Sequence, residues 1–150
     1  MSHSQPLATL AVLRRLLVGI LLVGLVGTLT ELLLIGHDED PWQFIPIVIL
    51  GLAIITTLGV VATRATTQAA VTRAFRGVMV LMILTGAMGS ILHYRANMQF
   101  KLEMDPSLNG FALFSSVVRA QAPPALAPGN MALLGLLGLA CVFRLDVPTP

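Results

Sequence analysis

Residues 24–42 read GLVGTLTELLLIGHDEDPW. A long apolar run carries Glu31 inside it, stops at Gly36, and passes through His37, Asp38, Glu39 and Asp40 before Pro41-Trp42 opens a second apolar run. Two apolar segments joined by so short a polar connection predict a helical hairpin. In Asp40-Pro41-Trp42-Gln43, Asp40 has the character of a helix N-cap and Pro41 of the first helical position. Gln43 falls at the third position, and Trp42 suits a membrane-interface anchor. Asp38 and Glu39 are favoured there by the same helix dipole.

Composition sets the class around this hairpin. The chain has 150 residues, 56% hydrophobic and only 11% charged, with mean hydropathy +0.88. A soluble domain of this length has too little interior to hide that much apolar surface, whereas a lipid bilayer accepts it. The chain therefore reads as an integral membrane protein whose first partner is the bilayer. Its formal charge of +2 comes from scattered arginines, which excludes the basic block of a nucleic-acid binder. The lone Cys141 rules out a disulfide within the chain.

Arginines and turn residues divide the chain into spans at about 12–36, 41–64, 68–97 and 128–144, with an outer segment at 98–127. The expected fold is an all-α integral membrane four-transmembrane-helix bundle, with a short outer amphipathic helix between helices three and four. The first apolar run is roughly 31 Å long and the fourth only about 24 Å, at 1.5 Å per residue. Arg14-Arg15 ahead of the first run has the look of an export signal. The run is too long and lacks an A-x-A site, so it is expected to be an uncleaved anchor. Arg14, Arg15, Arg64, Arg73, Arg76 and Arg144 fall on one side, against Arg95, Lys101 and Arg119 on the other. This imbalance puts both termini in the cytoplasm, as in a bacterial inner-membrane protein.

In the outer segment, NMQFKLEMD alternates Met98, Phe100, Leu102 and Met104 with polar residues. That is a strand pattern, one that must pair, lie on the membrane surface, or turn out to be a helix extension. After Asp105-Pro106, Ser107 is placed to cap a short helix in which Leu108, Phe111, Phe114 or Ser115, and Val118 recur at helical spacing. Met79 with Met82, and Met98 with Met104, form pairs that a soft copper ion would accept, although methionine serves more often as core filler. Pro123, Pro124 and Pro128 are expected to keep the chain non-helical up to the fourth span. Within that span Gly129, Ala132, Gly135, Gly138 and Cys141 form a row of small residues suited to close helix packing, in this chain or with another.

Glu31 follows Gly24 and Gly27 as His93 follows Gly86 and Gly89: GLVGTLTE against GAMGSILH. The match suggests two tandem helical hairpins related by an axis along the membrane normal. Small residues mark packing faces, so Glu31 is expected to point into the bundle, about 24 Å beyond Arg15, level with His93 about 25 Å beyond Arg76. An ionisable residue inside a membrane is by default a functional candidate. One reading makes Glu31 and His93 a register-fixing hydrogen-bonded pair, with Arg95 as the alternative partner of Glu31. A second makes them a ligand or proton site with His37 and Arg95, handling a quinone, lipid or proton. The third alternative is a transition-metal or haem site of Glu31, His93, His37, Asp38 and Glu39; absence of any cofactor is the simpler expectation.

No G-x-S-x-G, P-loop or dinucleotide-binding stretch occurs in a suitable setting, and Cys141 falls at the opposite membrane face from His37 and His93. The chain is therefore expected to be a non-catalytic accessory or binding subunit that meets other membrane subunits.

Overall fold

Apolar runs in lipid become helices because only a helix satisfies its own backbone there. A computed structural model describes residues 4–36, 41–63, 69–119 and 126–143, and over these the chain is all-α. The helices are α1 (Ser4–Leu34), α2 (Phe44–Ala62), α3 (Ala69–Met104), α4 (Gly110–Val118) and α5 (Leu126–Cys141). Three segments are long and apolar enough to cross a membrane, Thr9–Leu34, Pro41–Ala62 and Ala69–Met104, and α5 is a shorter apolar helix. Only 22% of each long span is buried within the protein, so most of its apolar surface is left for lipid to solvate.

The helices pack as a ring. α1 touches α2 and α5, α3 touches α2 and α5, and no contact joins α1 to α3 among the described residues. Gly24 meets Leu134 and Thr28 meets Asn130, while Gly86 meets Ala132 and Gly135 meets Met79, so α5 runs antiparallel to both α1 and α3. The core inside the ring combines Leu21, Leu25, Leu50, Phe75, Met79, Met82, Met131 and Leu134.

The seam between α3 and α5 is the tightest. A Cβ on Gly86 would lie against the Pro128 carbonyl and 2.7 Å from the Ala132 nitrogen; one on Gly135 would lie 2.7 Å from the Met79 carbonyl. Gly138 accommodates the thioether of Met79. The small-residue groove of α5 is thus filled from within the chain, and Met79 and Met82 are buried packing residues. Gly129 lies outside the seam, with open space around it.

Two side-chain hydrogen bonds tie the ring, one near each end of α5. Asn130 Nδ2 donates to Thr28 Oγ1 at 2.6 Å, joining α5 to α1. Buried Thr57 donates to the Ala53 carbonyl of its own helix at 2.6 Å. Arg76 Nη2 donates to the Val142 carbonyl at 3.0 Å, just past the end of α5, where backbone carbonyls lack helical partners. A double-mutant cycle of Thr28→Val with Asn130→Leu, read by unfolding in detergent, is expected to show a coupling of about 0.6 to 1.7 kcal/mol. A coupling of zero would mean that the two side chains act independently.

Four boundaries differ from the sequence expectation. The strand pattern at Met98–Met104 is overturned: α3 continues through it as one helix of 36 residues. Extending an existing helix avoids a new nucleation cost, and Met, Gln, Lys, Leu and Glu all favour it. The half-buried Tyr94, Asn97, Met98, Lys101 and Leu102 then share one face at helical spacing. Second, Ser107 does not cap α4. It donates from its hydroxyl (2.6 Å) and its backbone N–H (3.0 Å) to Asp105 Oδ1, closing a turn, and the helix starts three residues later at Gly110. These two bonds, the hydroxyl first, hold the Asp105 carboxyl below its ordinary range.

Third, α5 begins at Leu126, before Pro128. Proline is tolerated there because an N–H in the first turn has no intrahelical acceptor. The stretch containing Pro123 and Pro124 lies outside the described residues, as does Asp40. Pro41–Gln43 form a 3₁₀ turn rather than the first turn of α2, which starts at Phe44 with no side-chain cap bond from Gln43.

Candidate functional site

Whether Glu31 and His93 meet depends first on which face of each helix is buried. On α1 the buried stripe is Leu21, Leu25, Thr28 and Leu32, and Glu31 is exposed. With 3.6 residues per turn, Glu31 is rotated by about 90° from the centre of that stripe, and Gly27 by about 130°. A Cβ at Gly27 would accordingly meet nothing within 4 Å. The expectation that Glu31 points into the bundle with Gly24 and Gly27 is corrected on this point. Glu31 lies one turn from the end of α1, where a carboxylate can reach the headgroups at modest cost.

On α3, His93 continues the interior stripe of Phe75, Met79, Met82 and Gly86 at three- and four-residue steps. The two residues therefore face different surroundings, and they are borne by helices that do not touch. The reason is topological. In a ring of four helices joined in sequence every neighbour is antiparallel, so the parallel α1 and α3 fall on a diagonal. Arg95 is exposed on α3 and is not brought to Glu31 either.

A ring with α1 opposite α3 and α2 opposite α5 suits two tandem hairpins, but the glycines do not follow that relation. Gly24 and Gly86 both pack on α5, whereas a two-fold axis would send Gly24 to α2. Gly89, one turn beyond Gly86, has the Pro128 ring 3.1 Å from where its Cβ would be.

Among the described residues no three His, Cys, Asp or Glu side chains come together to hold a metal. His37, Asp38 and Glu39 of the expected donor set lie outside the described residues. Buried Cys141 ends α5, at the opposite end of that helix from the turn beside Gly89.

What the fold does build around His93 is a cleft of about 970 Å³. Pro128 of α5 reaches only the level of Gly89, while α3 continues outward. The space beyond is bounded by Leu32, Ile35 and Gly36 at the end of α1, and by Trp42, Gln43, Ile45 and Pro46 at the start of α2. Leu84, Thr85, Met88, Leu92, His93 and Ala96 of α3 form its longest wall, and Ala127, Pro128 and Met131 its α5 side. Polar groups are few: His93, Thr85, Gln43 and the Trp42 indole. No Lys, Arg, Asp or Glu lies among the described lining residues.

No protein family, curated protein or solved structure matches this chain. Its chemistry therefore rests on its own geometry. Of the candidate site residues, His93 lines the cleft, and Glu31 and Arg95 do not. Thr85, Met88 and Ala96 were missed from sequence. Ala96 continues the three- and four-residue step that runs from Gly86 through Gly89 and His93, whereas Thr85 and Met88 lie one position off that row and carried no signal in the sequence.

Proposed function

We propose that the chain is a four-span integral membrane protein, with α5 as the fourth span and both termini on the arginine-rich, cytoplasmic side. Its role is that of a non-catalytic accessory subunit, holding a larger membrane assembly through the outer end of α3 and α4. The orientation rests on the arginine count. The fourth span is supported by the apolar sequence of α5 and its antiparallel packing between α1 and α3. At about 24 Å it is short for a hydrocarbon core of about 30 Å, a mismatch that bilayer thinning absorbs.

One observation carries the accessory role: exposed apolar side chains beyond the depth that lipid can cover. Along α3, Phe100 and Met104 stand about 36 and 42 Å from Arg76, past a hydrocarbon core of about 30 Å. Their exposures are 54% and 67%. α4 folds back on α3, with the Phe114 and Tyr94 rings 6.4 Å apart, and leaves Phe111 82% exposed. Exposed apolar side chains at this depth, on the end of α3 and on α4, suit an interaction with a protein partner.

Gentle extraction from the native membrane tests the role, followed by native mass measurement. The expected result is a complex of defined stoichiometry with a different membrane protein. Met104→Glu with Phe111→Glu is expected to release the chain from it while leaving its helix content unchanged. Recovery of the unaltered protein as a lone monomer or homodimer would overturn the role.

A further inference from the structure

We infer that the cleft around His93 binds a neutral lipid whose head carries carbonyl oxygens, with its tail lying against the α3 wall. This inference stands apart from the accessory role, since the cleft is bounded by α1, α2, α3 and α5 around His93, whereas that role rests on the far end of α3 and on α4.

Three features select that occupant. The volume of about 970 Å³ lies at the upper end of the roughly 300–1,000 Å³ of ligand pockets, enough for a head group and part of a chain. Depth is the second. His93 stands about 25 Å from Arg76, near the outer edge of a core of about 30 Å, so a head group reaches it while its tail stays in the hydrocarbon. The third is chemistry. With no Lys or Arg among the described lining residues, a phosphate would shed its water and gain no counter-charge from them, which disfavours anionic lipids.

Every polar group among the described lining residues carries a donor: the indole of Trp42 donates only, while the Gln43 amide, the Thr85 hydroxyl and His93 each combine a donor with an acceptor. An imidazole has two nitrogens and serves two partners at once, so His93 can donate to a ligand while engaged elsewhere. The first turn of α5, at Ala127 and Pro128, adds the positive end of a helix dipole. Donors above an apolar base fit a quinone ring or a glyceride ester rather than a charged head.

Trp42 is the chain's one tryptophan and lines the cleft, so it reports occupancy directly. The full chain is placed in phosphatidylcholine nanodiscs and titrated with decylbenzoquinone while Trp42 fluorescence is followed. The expected result is saturable quenching, reversed by excess dioleoylglycerol and unaffected by dioleoylphosphatidylglycerol. His93→Leu should weaken binding about tenfold, the equivalent of one hydrogen bond. Ala96→Phe narrows the mouth from an exposed position outside the core and should abolish saturation. If His93→Leu does not fold, Ala96→Phe decides the matter alone. Linear quenching identical in the unaltered protein and Ala96→Phe would overturn the inference. Displacement by the anionic lipid as effective as that by dioleoylglycerol would do the same.

Discussion

Gly86→Ala, the addition of one methyl group, is expected to destabilise the protein by about 3 kcal/mol, the upper end of the usual overpacking range. The new Cβ would meet the Pro128 carbonyl and, at 2.7 Å, the Ala132 nitrogen. Both are backbone atoms in the first half of α5, so no side-chain rotation relieves the contact, and α5 must move away from α3. Gly89→Ala should cost less than half as much, because its Cβ meets only the Pro128 ring, at 3.1 Å. Gly27→Ala has open space and should be neutral or gain up to about 1 kcal/mol from helix propensity. The three variants are compared by unfolding in detergent with helicity as the readout. Equal stability of Gly86→Ala and Gly27→Ala would show that α3 and α5 do not pack through Gly86.

Arg76→Leu is the second large effect, a loss of about 2 kcal/mol, as for a hydrogen bond from a charged donor. Arg76 links α3 to the Val142 carbonyl across 66 positions of sequence and places a cation at the negative end of α5. Arg73→Leu is the control. Arg73 is exposed, and its bond to the Ala69 carbonyl, at 3.4 Å, stays within its own helix, so its loss should change stability by less than about 0.5 kcal/mol. Hydrogen exchange at the last turn of α5 adds a local readout. Arg76→Leu should raise exchange there and Arg73→Leu should not. The same exchange in both variants would detach Arg76 from the end of α5.

The candidate site was half legible in the sequence. His93 was singled out because an ionisable residue in an apolar helix needs a reason, and the fold does turn it inward. Glu31 was singled out by the same logic and by its glycine spacing, yet it faces outward. Glycine spacing identifies a face that a neighbour can approach; it does not say that a neighbour is there. Gly86 has α5 against it and Gly27 has nothing, though both stand in the same small-residue pattern. The alternation at Met98–Met104 misled for a related reason: a period of two over a few residues also places Met98 and Leu102 one helical turn apart.

By itself the sequence determined that the chain is helical and apolar enough for a bilayer, since backbone bonding in lipid leaves few alternatives and hydropathy is a property of composition. It also determined roughly where each long helix lies. Only the tertiary structure decided which helices touch: that α1 and α3 stand on a diagonal, that α5 uses its own small residues to fill the ring, and that α3 outruns α5 to leave a cleft beside His93. Neighbour choice and rotation about each helix axis come from side-chain packing between segments far apart in sequence, and no local pattern encodes that sum.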